Sequence, residues 1–132
     1  MKSVLLVDDD NTLLLSMGIR LKRIGYTVYT AKDAVTAVST AIKCAPDVVV
    51  LDVKIPAGDG FLVAQRLHNL VEFAATPIIF ITASENPQLR ERALADRASG
   101  FLVKPFDATT LADAIESALS PGDHWRPLAS GE

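Results

Sequence analysis

The sequence predicts a doubly wound α/β domain, an open parallel β-sheet covered by helices on both faces, and three observations carry that expectation. First, four short apolar runs are continuous rather than alternating: Val4-Leu5-Leu6-Val7, Val48-Val49-Val50-Leu51, Ile78-Ile79-Phe80-Ile81 and Phe101-Leu102-Val103. Strands buried on both faces read this way. Second, segments of helical spacing with recognisable ends lie between the runs. Third, strand and helix alternate five times, and right-handed crossovers fold such an order into one sheet with helices on both sides.

The first strand stops at Asp8-Asp9-Asp10, and a helix comes next in which Leu14, Met17, Leu21 and Ile24 recur at helical spacing. Asp10 or Asn11 can cap its start, and Gly25 supplies a left-handed stop. Thr27-Val28-Tyr29-Thr30-Ala31 alternates, which suits a strand nearer an edge. A second helix runs from about residue 33 to Cys44, stopped by Pro46. After the third strand, a helix beginning near Asp59-Gly60 places Phe61, Ala64, Leu67 and Leu70 on one face and fades before residues 72–76. Asn86-Pro87 opens the fourth helix, a cap followed by proline at the first helical position. The fifth starts at Asp107 and buries Leu111, Ala114, Ile115 and Ala118. Residues 120–132, with Pro121, Gly122 and Pro127, lack periodicity and are expected to be a tail or the start of a linker, leaving residues 1–119 as the domain.

Composition narrows the function. At 132 residues the chain suits one domain, and no apolar stretch is long enough for a bilayer span, so no membrane role is expected. The apolar start is cut off by three aspartates, unlike a secretory signal, which points to a cytoplasmic protein. Cys44 is the one cysteine, so no internal disulfide forms, and a buried thiol at a helix end is expected. A net charge of −3 without a Lys/Arg cluster argues against direct nucleic-acid binding.

The chemistry emerges at the carboxyl ends of the strands: Asp8-Asp9 come after the first, Asp52 after the third run, Thr82 after the fourth and Lys104 after the fifth. In open α/β sheets the ligand crevice lies outside these ends, so the residues face one site. Alone, each has a plainer reading: an aspartate there is usually a helix cap, as Asp10 and Asp107 are, a lysine is solvated, and a threonine is a good strand residue. Together they converge. Three carboxylates within a few ångströms repel by roughly 4 kcal/mol per pair at an effective dielectric near 20, so a cation belongs among them. A few protein oxygens with room for water and phosphate oxygens is the Mg²⁺ pattern. Lys104 suits a phosphate oxygen, Thr82 offers a hydroxyl, and a carboxylate can itself be the nucleophile that becomes an acyl phosphate.

These stretches, with Ile55-Pro56, Gly58-Asp59-Gly60, Ile81-Thr82-Ala83 and Lys104-Pro105-Phe106, resemble the receiver domain of two-component response regulators over about residues 2–119. The resemblance implies a flavodoxin-like sheet of order 2-1-3-4-5. It implies that Asp52 is the phosphoacceptor, that Asp9 and Asp52 are Mg²⁺ ligands with the backbone carbonyl of Lys54, and that Asp8 holds the metal through water. Thr82, Ala83 and Lys104 are then the phosphoryl-binding positions, and Lys104-Pro105 is expected to be a cis peptide. The phosphoryl donor would be the phosphohistidine of a sensor histidine kinase or histidine phosphotransfer domain, with a separate downstream protein as target. Phe101 stands at the family's switch aromatic, expected to turn inward as Thr82 swings toward the phosphoryl group and so alter the surface of the fourth helix, fifth strand and fifth helix. His68 and His124 are expected at the surface.

Three positions depart from the family pattern: Lys54 where access of hydrolytic water is tuned, Phe101 in place of a common tyrosine, and Arg97-Ala98 in place of a common Gly-Ala pair before the fifth strand. Leu13, Leu14 and Leu15 are consecutive, so at least one is expected to be exposed, as a contact for the phosphodonor. One enzymatic alternative fits as well: Asp8-Asp9-Asp10-Asn11-Thr12 matches the Asp-x-Asp-x-Thr motif of haloacid-dehalogenase-type phosphatases, with Asp8 as nucleophile. Against it, that class needs a further acidic pair after the lysine strand, and it leaves Asp52 without a role. A binding module that keeps the fold without the chemistry is the third reading.

Overall fold

Every apolar run forms a strand in a computed structural model of the chain, which describes residues 1–120. The order is β1 (Ser3–Val7), α1 (Asn11–Ile24), β2 (Thr27–Ala31), α2 (Ala34–Cys44), β3 (Val48–Asp52), α3 (Gly60–His68), β4 (Ile78–Thr82), α4 (Pro87–Ala95), β5 (Gly100–Val103) and α5 (Ala108–Leu119). The sheet order is β2-β1-β3-β4-β5 with every pairing parallel, the flavodoxin-like arrangement expected. The tail expected over 120–132, including His124, lies outside the described residues from 121 onward.

The continuous runs are explained by two cores, one on each face. Alternate residues Val4, Leu6, Val48, Val50, Ile79 and Ile81 pack with Leu14 and Leu21 of α1 and Leu111 and Ile115 of α5. Their neighbours Leu5, Val7, Val49, Leu51, Ile78 and Phe80 pack with α2, α3 and α4. Phe61 and Phe80, with ring centroids 4.6 Å apart, anchor the second core.

Helix ends obey the local chemistry. Asp10 accepts from the backbone N–H groups of Thr12 and Leu13 at 2.9 and 3.3 Å, and Gly25 ends α1 at φ 118°. Asp33, Asp59, Asn86 and Asp107 cap the other four helices with their side chains.

Several expectations need correction. Ile24 is 56% exposed because the buried seam of α1 runs through Leu14, Gly18 and Leu21, leaving Ile24 at its fringe. Cys44 is half-buried rather than buried, at the last position of α2. In α5 Ala114 and Ala118 are only partly covered, while Ala108 is buried. After α3, Val71–Phe73 forms a 3₁₀ turn that buries Phe73. Lys54–Ile55 and Gly58–Asp59 form a two-residue antiparallel ladder. No helix among the described residues is long and apolar enough to cross a membrane.

Candidate functional site

Parallel strands end on the same side of a sheet, so the chain delivers its polar residues to one crevice. Asp8 comes directly after β1 and is fully buried, held by its backbone N–H donating to the Ala31 carbonyl at 3.1 Å. Asp9, the next residue, is exposed. Asp52 and Thr82 are the last residues of β3 and β4, both buried, and Lys104 comes directly after β5. The Lys104 backbone N–H donates to the Thr82 carbonyl at 2.7 Å, and the Lys104-Pro105 peptide is cis.

The lysine bridges two carboxylates. Its Nζ lies 2.6 Å from Asp8 Oδ2 and 2.9 Å from Asp52 Oδ2. The Asp52 contact is a directed hydrogen bond, whereas Asp8 Oδ2 is close enough for an ion pair but has no hydrogen-bond partner of adequate angle. The other oxygens are engaged locally: Asp8 Oδ1 accepts from the Asp10 N–H at 2.9 Å, and Asp52 Oδ1 from the Lys54 N–H at 3.0 Å. Thr82 Oγ1 accepts from the Ser84 N–H at 3.1 Å, which leaves the hydroxyl proton available to another acceptor. Ala83 is exposed beside it.

Burial pushes the Asp52 carboxyl above its ordinary range, and the Asp8 charge adds to this against the pull of Lys104 and the Lys54 N–H. For Lys104 burial acts to lower the value, but Asp8 and Asp52 outweigh it and the ammonium is held above its ordinary range. The two directions look contradictory for one ion pair: the lysine reads it as favourable and the aspartate as insufficient. Both hold, because one cation serves several anions. Donor oxygens of Asp8, Asp9 and Asp52 lie within 4.8 Å of one another, so three carboxylates against one ammonium leave two negative charges uncompensated. Three hard oxygen donors, an excess of negative charge and a buried Asp8 oxygen without a directed partner fit a divalent cation of the Mg²⁺ type.

Gly60 was legible only as the start of α3. Its N–H donates to the Val53 carbonyl at 2.8 Å, and a Cβ there would collide with the Asp52 carbonyl oxygen. No other residue lets α3 start so close to the end of β3. The glycine in Gly58-Asp59-Gly60 was the available signal, but its spatial neighbour was not.

Not every expected residue reaches the crevice. Phe101 pairs across the sheet with Phe80, while Thr82 is opposite Val103, so the aromatic sits two residues below the strand end rather than at it. Asp10 is committed to capping α1. His68 is half-buried rather than at the surface, with Nε2 3.0 Å from the Thr76 carbonyl oxygen, at the end of α3 and not in the site. Of the three leucines on α1, Leu14 is buried and Leu15 is 67% exposed.

The family model described as response regulator receiver domain matches residues 4–116. The chain belongs to that family. Receiver domains as a family are signalling phosphoacceptors that work with histidine kinases or phosphotransfer proteins. The chemotaxis response regulator CheY4 of Vibrio cholerae superposes with a TM-score of 0.84 at 33% identity, covering 90% of this chain and 99% of that one. The protein PilH of Pseudomonas aeruginosa is 29% identical over 91% of this chain and 99% of its own length. The DNA-binding dual master transcriptional regulator RpaA of Synechocystis sp. is 31% identical over 93% of this chain, which spans only 51% of that regulator. None of these similarities supports the phosphatase alternative.

Proposed function

We propose that this receiver domain accepts a phosphoryl group on Asp52 from the phosphohistidine of a sensor histidine kinase or histidine phosphotransfer domain. Phosphorylation then alters the surface formed by α4, β5 and α5, which a downstream protein reads. The observation that carries this reading is the Lys104 ammonium bridging Asp8 and Asp52 at the carboxyl end of β3.

In the transfer, a carboxylate oxygen of Asp52 attacks phosphorus as the P–N bond to the donor imidazole breaks, leaving the imidazole and an acyl phosphate. Lys104 exchanges its Asp52 contact for a phosphoryl oxygen and keeps Asp8. Thr82 turns its hydroxyl to donate to a second phosphoryl oxygen, with Ala83 as the neighbouring contact. Asp9, Asp52 and the Lys54 carbonyl directly, and Asp8 through water, would hold Mg²⁺, whose charge offsets the roughly −1.5 to −2 that a phosphoryl group brings into an acidic crevice. The responding unit is residues 1–119, acting in the cytoplasm and without direct contact to nucleic acid. The reaction is a single transfer to the protein rather than turnover of a substrate.

Incubation with a small-molecule phosphodonor, with and without Mg²⁺, followed by peptide mass spectrometry tests this. A Mg²⁺-dependent adduct on Asp52, absent from Asp52→Asn, is expected. An adduct on Asp8 would instead establish the phosphatase-type nucleophile.

A further inference from the structure

Two buried side-chain oxygens among the described residues have no hydrogen-bond partner, Asp8 Oδ2 and Asp96 Oδ2. The first has the Lys104 ammonium beside it and belongs to the crevice. The second has no ion pair either, and it lies at the other pole of the domain. Helices α3 and α4 both start beside the carboxyl ends of the strands and run back along the sheet. Asn69 and Asp96, the residues that cap their C-terminal ends, therefore meet at the pole opposite Asp52. Together with Ala64, Gln65 and His68 they line a cavity of about 220 Å³.

The cavity is rich in acceptors. Gln65, His68 and Asn69 stand at i, i+3 and i+4 and so share one face at the end of α3. The Thr76 carbonyl oxygen is 3.0 Å from His68 Nε2, and a carbonyl can only accept, so Nε2 carries the proton and the neutral ring keeps a bare Nδ1. The amides of Gln65 and Asn69 each supply an oxygen, and the last carbonyls of two helices add partial negative charge. Among these acceptors Asp96 holds the full negative charge, which is costly to bury without a partner. The arginines nearest in sequence do not provide one. Arg92 lies over the Phe61 ring, 4.1 Å from its centroid, and Arg66 and Arg97 are exposed and form no ion pair with Asp96.

We propose that this cavity binds a guanidinium group, with Asp96 as its counter-ion and the acceptors of α3 taking the remaining N–H donors. The volume is below the roughly 300 Å³ at which pockets for drug-sized ligands begin, which suits a small cation. A metal is poorly served by one carboxylate and one imidazole without a thiolate, and the described residues gather a metal-type donor set at Asp8, Asp9 and Asp52 instead. An ammonium is compact and strongly hydrated, whereas the planar guanidinium fork carries five N–H donors and can reach acceptors on two helices at once.

The test titrates methylguanidinium into the isotope-labelled protein and follows amide chemical shifts in wild type, Asp96→Asn and Gln65→Ala. Wild type should show saturable shifts over residues 64–69 and 94–97. Asp96→Asn keeps the side-chain shape and removes the charge, and should bind about tenfold more weakly. Gln65 is exposed, so Gln65→Ala leaves the fold intact and should weaken binding about threefold, a second reading should Asp96→Asn fail to fold. Methylammonium should bind more weakly than methylguanidinium. Shifts that do not saturate, that are confined to the residues around Asp52, or that keep full strength in both variants overturn the site and leave the cavity to solvent. Agmatine and a blocked Gly-Arg-Gly peptide separate the two sources of the group. Binding of the peptide assigns the arginine side chain of a protein partner; binding of agmatine but not of the peptide assigns a free small molecule. The outcome does not depend on whether Asp52 takes a phosphoryl group, because the cavity and the crevice share no residue.

Discussion

Replacing Asp52 with asparagine removes the proposed nucleophile and also one of three carboxylates crowded around one ammonium. Because the folded state raises the Asp52 value above its ordinary 3.8, ionising this group costs folding stability, and the cost grows as pH rises from there through the folded value. Asp52→Asn should therefore have a higher Tm than wild type at neutral pH, with the difference vanishing as pH falls below about 4, where both states of the wild-type carboxyl are protonated. Thermal melts at several pH values check the sign; a lower Tm at pH 7 would show that Lys104 needs Asp52 more than Asp52 suffers from burial. Gly60→Ala acts on the same carbonyl from the other side. It should cost about 1–3 kcal/mol by urea denaturation and slow the proposed phosphorylation of Asp52, since the intruding methyl displaces the Asp52 backbone. At residue scale the crevice was legible because its members end strands, a position the sequence reveals. The crowding at Gly60 was not, because it depends on a neighbour from a different element. Arg97 shows the reverse: its place where the family often has glycine foretold trouble, and it adopts φ 60°. Arg97→Gly should raise stability by about 0.5–1 kcal/mol in urea melts, the left-handed penalty less the added flexibility of glycine.

At the scale of elements, α4 stands apart. Four helices carry a broad apolar face, whereas α4 buries Ala93 and relies on its Asn86 cap, whose side chain accepts from the Gln88 N–H at 3.0 Å. Asn86→Ala should cost about 1 kcal/mol, felt as local opening of residues 87–95 rather than global unfolding. Amide exchange there should rise about fivefold with almost no change in the denaturant midpoint. The strands were readable because burial on both faces makes them continuous apolar runs, and β2 because it alternates at an edge. The 3₁₀ turn at Val71–Phe73 and the ladder joining Lys54–Ile55 to Gly58–Asp59 were not, since each spans two or three residues, too few for any periodicity.

Across the whole molecule, the strands of one sheet carry two cores, so the crevice at their ends is tied to global stability. A cation that binds only the folded crevice should stabilise the entire domain. At ten times its dissociation constant Mg²⁺ should add about 1.4 kcal/mol, visible as a higher Tm, and Asp9→Ala should abolish most of that gain. Equal melting of both proteins with and without Mg²⁺ would remove the metal from the proposal. The same polarity has a practical side. Cys44, the one thiol in the sequence, closes α2 just before β3 begins, and Asp52 ends that strand. A five-residue strand rises about 17 Å, so a maleimide dye on Cys44 would sit roughly a strand's length from Asp52, at the opposite pole. The half-covered sulfur would react slowly, but the label would be homogeneous without any engineered cysteine, and fluorescence anisotropy could track binding of the proposed kinase while leaving the crevice clear.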